Sequence, residues 1–198
     1  MKSSLANKIS LLASLIAAVS GCVTTGVYAH GYISSPPSRI YECNLGRNTD
    51  CGSGMYEPQS VEGPKGFPEG GPADGFIASG QNEKFHPLDV QTPDRWVKVK
   101  QSAGDIKFEW TLTASHKSES WDYYITKTGW DNANPLTRKD FELVPFCHYD
   151  GNNITPPSKV THSCTIPADR KGYHVILGVW SIADTSNAFY QAIDVNIN

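Results

Sequence analysis

Beyond residue 19 this 198-residue sequence has no apolar run near the about 20 residues that a membrane-spanning helix needs, so no such helix is expected. It has no CxxC spacing, which removes the commonest zinc and dithiol patterns. It has no basic excess: 17 Lys and Arg stand against 20 Asp and Glu, a net of −3, and nucleic acid is not an expected partner. A sustained 3.6-residue apolar period is missing too. Helices should therefore be few and short, with room for one or two turns at 137–144.

What is present begins with a leader. Lys2 and Lys8 precede an apolar core at 9–19 (ISLLASLIAAV), the pattern of an export signal. Cleavage after Ala29 would leave residues 30–198 as a single secreted domain, free of the membrane, with His30 at its N-terminus. A rival lies at Val19-Ser20-Gly21-Cys22, which resembles a bacterial lipobox; lipidation of Cys22 would tether the product and leave His30 internal. Loss of Lys2 and Lys8 takes the net charge from −3 to −5, better suited to a neutral or cationic ligand than to a polyanion. Loss of Cys22 reduces five cysteines to four, an even set that suits two disulfides in an oxidising compartment. Three pairings are open, and proximity favours Cys43 with Cys51 and Cys147 with Cys164.

Residues 107–114 (KFEWTLTA) alternate in the strand period, with Phe108, Trp110, Leu112 and Ala114 on one face. Residues 121–127 and 191–198 read the same way, the latter with Ile193, Val195 and Ile197 inward. The nearly continuous apolar run 174–180 (HVILGVW) predicts a strand covered on both faces, and 95–100 is a weaker strand. Short strands between Gly/Pro turns point to an all-β chain folded as a β-sandwich. A Gly- and Pro-dense insertion from 56 to about 91 is not needed for a sandwich core; Tyr56, Phe67, Phe76 and Phe85 predict that it packs.

A freed N-terminal histidine offers its α-amino nitrogen and its ring Nδ1 to one metal ion, a chelate that no internal histidine can make. Among the other five histidines, His116 stands out, just past the strand ending at Ala114 in a polar turn (SHKSES). His86, His148, His162 and His174 are read as structural. One amine and two imidazoles match the tetragonal preference of Cu(II), which also leads the divalent affinity series. Zinc with three nitrogens and water, or iron with a carboxylate from Glu62 or Asp184, are the competing sets.

The chain from 30 onward resembles a bacterial lytic polysaccharide monooxygenase of the chitin-binding type, auxiliary activity family ten. The resemblance runs in order through HGYISSPPSR, YEPQSVEGPKGFPEGGPADG, QTPDRW, VPFC, THSC, IPADR and ADTSNAFYQAIDVN. It implies an immunoglobulin- or fibronectin III-like sandwich with one copper ion, held by the His30 amine, His30 Nδ1 and His116. It further implies that Phe189 and Ala114 crowd the metal on its two axial sides, and that Glu62 hydrogen-bonds to what the metal binds and steers a proton. Trp180 is implied to lie near the copper, although its strand makes core packing its first role. Tyr56 is the expected stacking residue on a flat substrate face, with Glu57, Thr113, Asp184 and Asn187 as polar contacts. A single exposed aromatic suits chitin, whose N-acetyl groups can hydrogen-bond to the rest.

The expected function is therefore a secreted, monomeric copper monooxygenase that takes electrons from an external donor and cleaves crystalline chitin oxidatively, at C1. The alternative is a non-catalytic module that binds chitin or GlcNAc glycans in adhesion. Glycoside hydrolysis ranks low, because the sequence shows no carboxylate pair spaced to flank a bond.

Overall fold

The computed structural model describes residues 29–198. The expected leader and the Cys22 lipidation site fall in residues 1–28, outside the described residues, with Ala29 alone inside. Two sheets form a sandwich. The smaller has the order β1 (His30–Ser35), β4 (Gly104–Ala114) and β7 (Lys159–Ile166). The larger has the order β2 (Glu62–Pro64), β9 (Asn187–Ile197), β8 (Gly172–Ile182), β5 (Ser118–Ile125) and β6 (Cys147–Ile154), and β3 (Val99–Gln101) adds to β9 in parallel. No helix of the described residues is long and apolar enough to cross a membrane.

Alternation fills the space between the sheets. Phe108, Trp110 and Leu112 from β4 meet Trp121, Tyr123, Trp180, Phe189 and Ile193 from the larger sheet, all buried. Trp121 and Trp180 stack in parallel with centroids 4.8 Å apart. The opposite face of the larger sheet is buried as well. Tyr124, Val175, Leu177, Val179, Tyr190 and Ala192 pack there against Val61, Phe67, Ile77, Phe85 and Leu88 of the insertion. The continuous apolar run of β8 thus has the two-sided cover expected of it.

The insertion does more than the sequence suggested, since it supplies a second core. Of its four aromatics, Phe67 and Phe85 are buried, while Tyr56 and Phe76 are 75% and 41% exposed. The expected 95–100 strand shrinks to its end. Trp96 turns inward to this second core, its Nε1 donating to the Val90 carbonyl, and only 99–101 pair with β9. The expected turns at 137–144 reduce to one 3-10 turn, Arg138–Asp140, closed by a capping box between Thr137 and Asp140.

Other features lay outside the sequence reading. Helix α1 (Arg39–Asn44) starts at Ser38, whose side chain accepts from the Tyr41 N–H, and is too short for a periodic stripe. β7 is missed because two of its inward residues are His162 and Cys164 rather than hydrophobes. Arg39 is 1% exposed and grips Asp194 of β9 through two hydrogen bonds of 2.9 and 2.7 Å, with its guanidinium 4.4 Å over the Trp96 ring. Both favoured disulfides form. Cys43–Cys51 ties α1 to the segment just ahead of the insertion, and Cys147–Cys164 joins the edges of the two sheets through β6 and β7.

Candidate metal centre and substrate face

His30 opens β1 directly opposite Ala114, the last residue of β4, and His116 lies two residues further on. The pairing brings the chain around both histidines to one end of the sandwich. Gly31 permits this: a Cβ there would lie 2.5 Å from Leu112 Cδ2 and 3.0 Å from the Trp180 ring. Trp180 Nε1 donates to Ser118 Oγ at 2.8 Å, and that hydroxyl donates to the His116 carbonyl at 3.3 Å, so the buried tryptophan anchors the turn that carries His116.

The His116 ring is held from one side only. Its Nδ1 lies 3.0 Å from Asp184 Oδ1, while its Nε2 is buried and has no hydrogen-bond partner. A carboxylate accepts only, so Nδ1 carries the proton, and a neutral ring then presents a bare lone pair at Nε2. A carboxylate behind the distal nitrogen is the usual means of fixing the tautomer and direction of a metal-binding histidine. The same bond holds the Asp184 carboxyl below the usual aspartate range. Asp184 stands in the β8–β9 turn, which is tied to the His116 turn by the Ala183 N–H donating to the Lys117 carbonyl at 2.8 Å. The buried, partnerless Nε2 fits a metal, and a nitrogen-rich set fits copper. Among the described residues no three His, Cys, Asp or Glu side chains gather as a metal site, so neither histidine pair with carboxylate nor a cysteine set is assembled.

A second group forms beside this one. Glu62 of β2 pairs in register with Phe189 of β9, and its Oε1 accepts from Asn187 Nδ2 at 2.8 Å. Gly63 lets β2 lie tightly against the later turn of the insertion at Gly80, since a Cβ there would meet the Gly80 carbonyl oxygen. Phe189 is fully buried, its ring 5.1 Å from Trp180. Ala114 is half-buried and Thr113 exposed at the end of β4.

Tyr56 ends a 3-10 turn (Ser53–Tyr56) with its ring in solvent, and Glu57 pairs with Lys84 at 2.7 Å. Asp184, expected as a polymer contact, serves His116 first, though it stays exposed enough to meet a ligand. The surface beside His116 is open, with a shallow hollow of about 310 Å³ lined by Ser115, His116, Lys117, Thr155 and Asp184. Lys84 and Thr155 reach the site only through the folding of distant loops, whereas Lys117 comes with its neighbour His116. Phe76 is a second exposed aromatic where one was expected.

The remaining histidines are engaged elsewhere. His162 Nδ1 meets the Tyr123 hydroxyl at 2.7 Å, and burial pushes its pKa down to about 4. His174 is buried against Thr126 and Lys171, with its pKa lowered by burial. His148 pairs with Asp122, and His86 lies against the Phe76 ring.

The family model described as lytic polysaccharide mono-oxygenase, cellulose-degrading, matches residues 30–195. The chain is 51% identical over 191 residues to the GlcNAc-binding protein A of Shewanella oneidensis, covering 96% of this chain and 40% of that protein. The protein of the same name from Vibrio cholerae serotype O1 is 45% identical, with 96% and 41% covered. The chain thus spans about two fifths of the length of these relatives. Among solved structures, an AA10 lytic polysaccharide monooxygenase from Photorhabdus luminescens superposes with a TM-score of 0.84 at 52% identity, over 85% of this chain and 99% of that one. A CBM33 protein of Bacillus amyloliquefaciens, solved in complex with Cu(I), gives 0.77 at 46% identity, over 85% and 100%. With a family match across nearly all the described residues and a shared sandwich, the chain belongs to the lytic polysaccharide monooxygenase family, in its bacterial auxiliary activity ten type.

Proposed function

We propose that the domain from His30 onward is secreted, acts as a monomer, binds one copper ion, and cleaves crystalline chitin oxidatively at C1 with electrons from an external donor. The observation that carries this reading is the buried Nε2 of His116, left without a partner while Asp184 fixes the ring from behind. His30 would supply its ring Nδ1 and, once the bond to Ala29 is cut, its α-amine. That amine has an ordinary pKa of about 7.7–8.0, so it is readily deprotonated for ligation near neutral pH. Held there and reduced by the donor, copper would supply the activation of dioxygen or peroxide needed to hydroxylate the sugar carbon; elimination would then break the glycosidic bond and leave a lactone, then an aldonic acid.

The chain's own part is placement and proton control. Tyr56 stacks on a sugar face, and Glu57, Thr113, Asp184 and Asn187 hydrogen-bond along the polymer. Asn187 fixes Glu62 through Oε1, which leaves Oε2 to hold or release a proton at the reacting end. Ala114 and Phe189, register partners of His30 and Glu62, crowd the approach and limit which molecules enter. Chitin is favoured over cellulose because close relatives carry the name GlcNAc-binding and the face is mostly polar.

The test is mass spectrometry of soluble products from chitin and from cellulose, with and without ascorbate. Aldonic acid oligosaccharides from chitin that need the reductant and vanish in His116→Ala support the reading; products from cellulose alone overturn the substrate. The name of the relatives also favours a second reading, a non-catalytic module that binds GlcNAc glycans. Binding to chitin without oxidised products, in protein whose mass places His30 first, selects it.

A further inference from the structure

On the insertion, with neither His30 nor His116 in its lining, a surface hollow of about 270 Å³ is bounded by Ala73, Phe76, Gln81, Glu83 and His86. Its floor is aromatic: the Phe76 and His86 rings lie 5.0 Å apart and inclined by 38°. An exposed phenylalanine leaves apolar area in water unless something covers it, and this one is held in place. The Phe76 carbonyl accepts from the Gln81 N–H at 2.9 Å and from Ser79 Oγ at 3.1 Å, and the Phe76 N–H donates to the Ala73 carbonyl at 3.0 Å. Gln81 sits in the left-handed region at φ 62° and fixes its own amide, with Oε1 accepting from the Ala73 N–H at 2.7 Å. Gln81 and Glu83 are both exposed in the lining, so a side-chain amide with donor capacity and a carboxylate with acceptor capacity border the floor. An ordered aromatic floor with a few convergent polar groups is the general form of a sugar subsite, and its rigidity keeps the entropic cost of binding low.

The hollow and the Tyr56 turn also share one support. One 3-10 segment, Glu83–Asp89, supplies Glu83 and His86 to the hollow and Lys84 to Glu57, the neighbour of Tyr56. Phe85, between them, packs under Gly54 of the Tyr56 turn, where a Cβ would lie 2.6 Å from its ring. The two exposed aromatics therefore stand on one braced piece of chain.

We propose that this hollow is a second sugar subsite, which takes a β-linked N-acetylglucosamine unit with its ring on Phe76 and its hydroxyl and amide groups on Gln81 and Glu83. It rests on the reading of this protein as a chitin binder. The subsite lengthens the grip on the polymer without touching the metal, so it acts on binding and leaves the copper ligands unchanged.

The experiment compares adsorption isotherms on chitin and calorimetric titrations with N-acetylglucosamine hexamer for the copper-loaded wild type, Phe76→Ala, Phe76→Tyr and Tyr56→Ala. Phe76→Ala should weaken both roughly two- to tenfold, the range that an aromatic contact of about 0.5–1.5 kcal/mol gives at 1.4 kcal/mol per tenfold. Phe76→Tyr should bind like the wild type, and copper affinity and melting temperature should match across the set. Unchanged binding by Phe76→Ala, beside a clear loss in Tyr56→Ala, overturns the subsite and spares the function. A loss in Phe76→Ala that Phe76→Tyr does not restore also overturns it. A wild type that holds neither chitin nor hexamer overturns the proposed function and this subsite with it.

Discussion

The two faces of the larger sheet are buried by different kinds of chain. On the inner face a second sheet presents alternating hydrophobes, and Trp110, Trp121 and Trp180 pack edge and face within 6.2 Å of one another. On the outer face the insertion has almost no sheet of its own, so its backbone groups need other partners. Side chains provide them. Arg138 donates to the carbonyls of Pro68, Gly70 and Pro72 and pairs with Asp74; Tyr124 reaches the Phe67 carbonyl and Tyr190 the Pro64 carbonyl; Arg39 reaches the Leu88 carbonyl while paired to Asp194. Apolar periodicity therefore assembles one face, and scattered polar side chains tack the other. The candidate site draws on both: the histidines stand at the end of the sandwich, and Tyr56 and Glu57 stand on the insertion.

The hardest blow to the outer face is Asp194→Ala, which strands a buried guanidinium. It should cost about 3–5 kcal/mol in urea unfolding, the range for breaking one partner from a buried pair. A loss no larger than that of a surface ion pair contradicts the account of the insertion given above. The sheets themselves are compared through the disulfides. Replacing Cys147 and Cys164 with serine opens a loop of sequence separation 17 and should cost about 3 kcal/mol, more than the same change at Cys43 and Cys51, where the separation is 8. The reverse order of unfolding midpoints would show that the outer layer, not the sheet edge, limits stability.

Acid should act on the two faces with opposite sign. Between the unfolded value of 6.5 and the folded value of about 4, the unfolded chain binds a proton at His162 that the folded chain excludes. Stability from this inner residue is therefore lost as pH falls through that window, by at most about 3 kcal/mol at 1.36 kcal/mol per unit. Asp89, under the insertion, has its pKa raised first by burial, with Oδ2 partnerless. Its folded form takes a proton more readily than the unfolded form, so its contribution is present at low pH and lost as pH rises through its folded value. Urea midpoints at pH 7 and 4.5 check this: His162→Gln should lose less than the wild type on acidification, and Asp89→Asn should lose more. Equal losses in all three chains refute it.

The gentlest change separates the two halves of the site. Asp184→Ala removes the group that orients His116, and copper affinity should drop about ten- to a hundredfold with little change in melting temperature. Chitin adsorption through Tyr56 should fall far less. A loss of adsorption as large as the loss of copper would place polymer and metal binding in one unit rather than two.

Much of this was legible in advance because it depends on local pattern. Alternation in 107–114 marked β4, the unbroken apolar run marked the doubly covered β8, and the short spacings marked both disulfides. His30 and His116 were legible as candidate donors from a freed N-terminus and a turn after a strand. β6 was not, since only Cys147, Tyr149 and Gly151 turn partly inward and Gly151-Asn152-Asn153 looks like a turn, and α1 was too short to show a period. Lys84, Thr155 and the Arg39–Asp194 pair left no trace either, because an isolated charge or hydroxyl in a sequence looks the same whether solvated or paired.

By itself, then, the sequence determined the fold class and the faces of its clearest strands, and it favoured the two short disulfide loops and a nitrogen-donor site, all of which follow from residue type and near spacing. Only the tertiary structure decided that the insertion becomes a second core, that Asp184 stands behind His116 and leaves Nε2 bare, and that Phe76 joins Tyr56 on the surface. Those relations link residues far apart along the chain, and only the register of the strands and the path of the loops set which of many equivalent polar or aromatic groups come to meet.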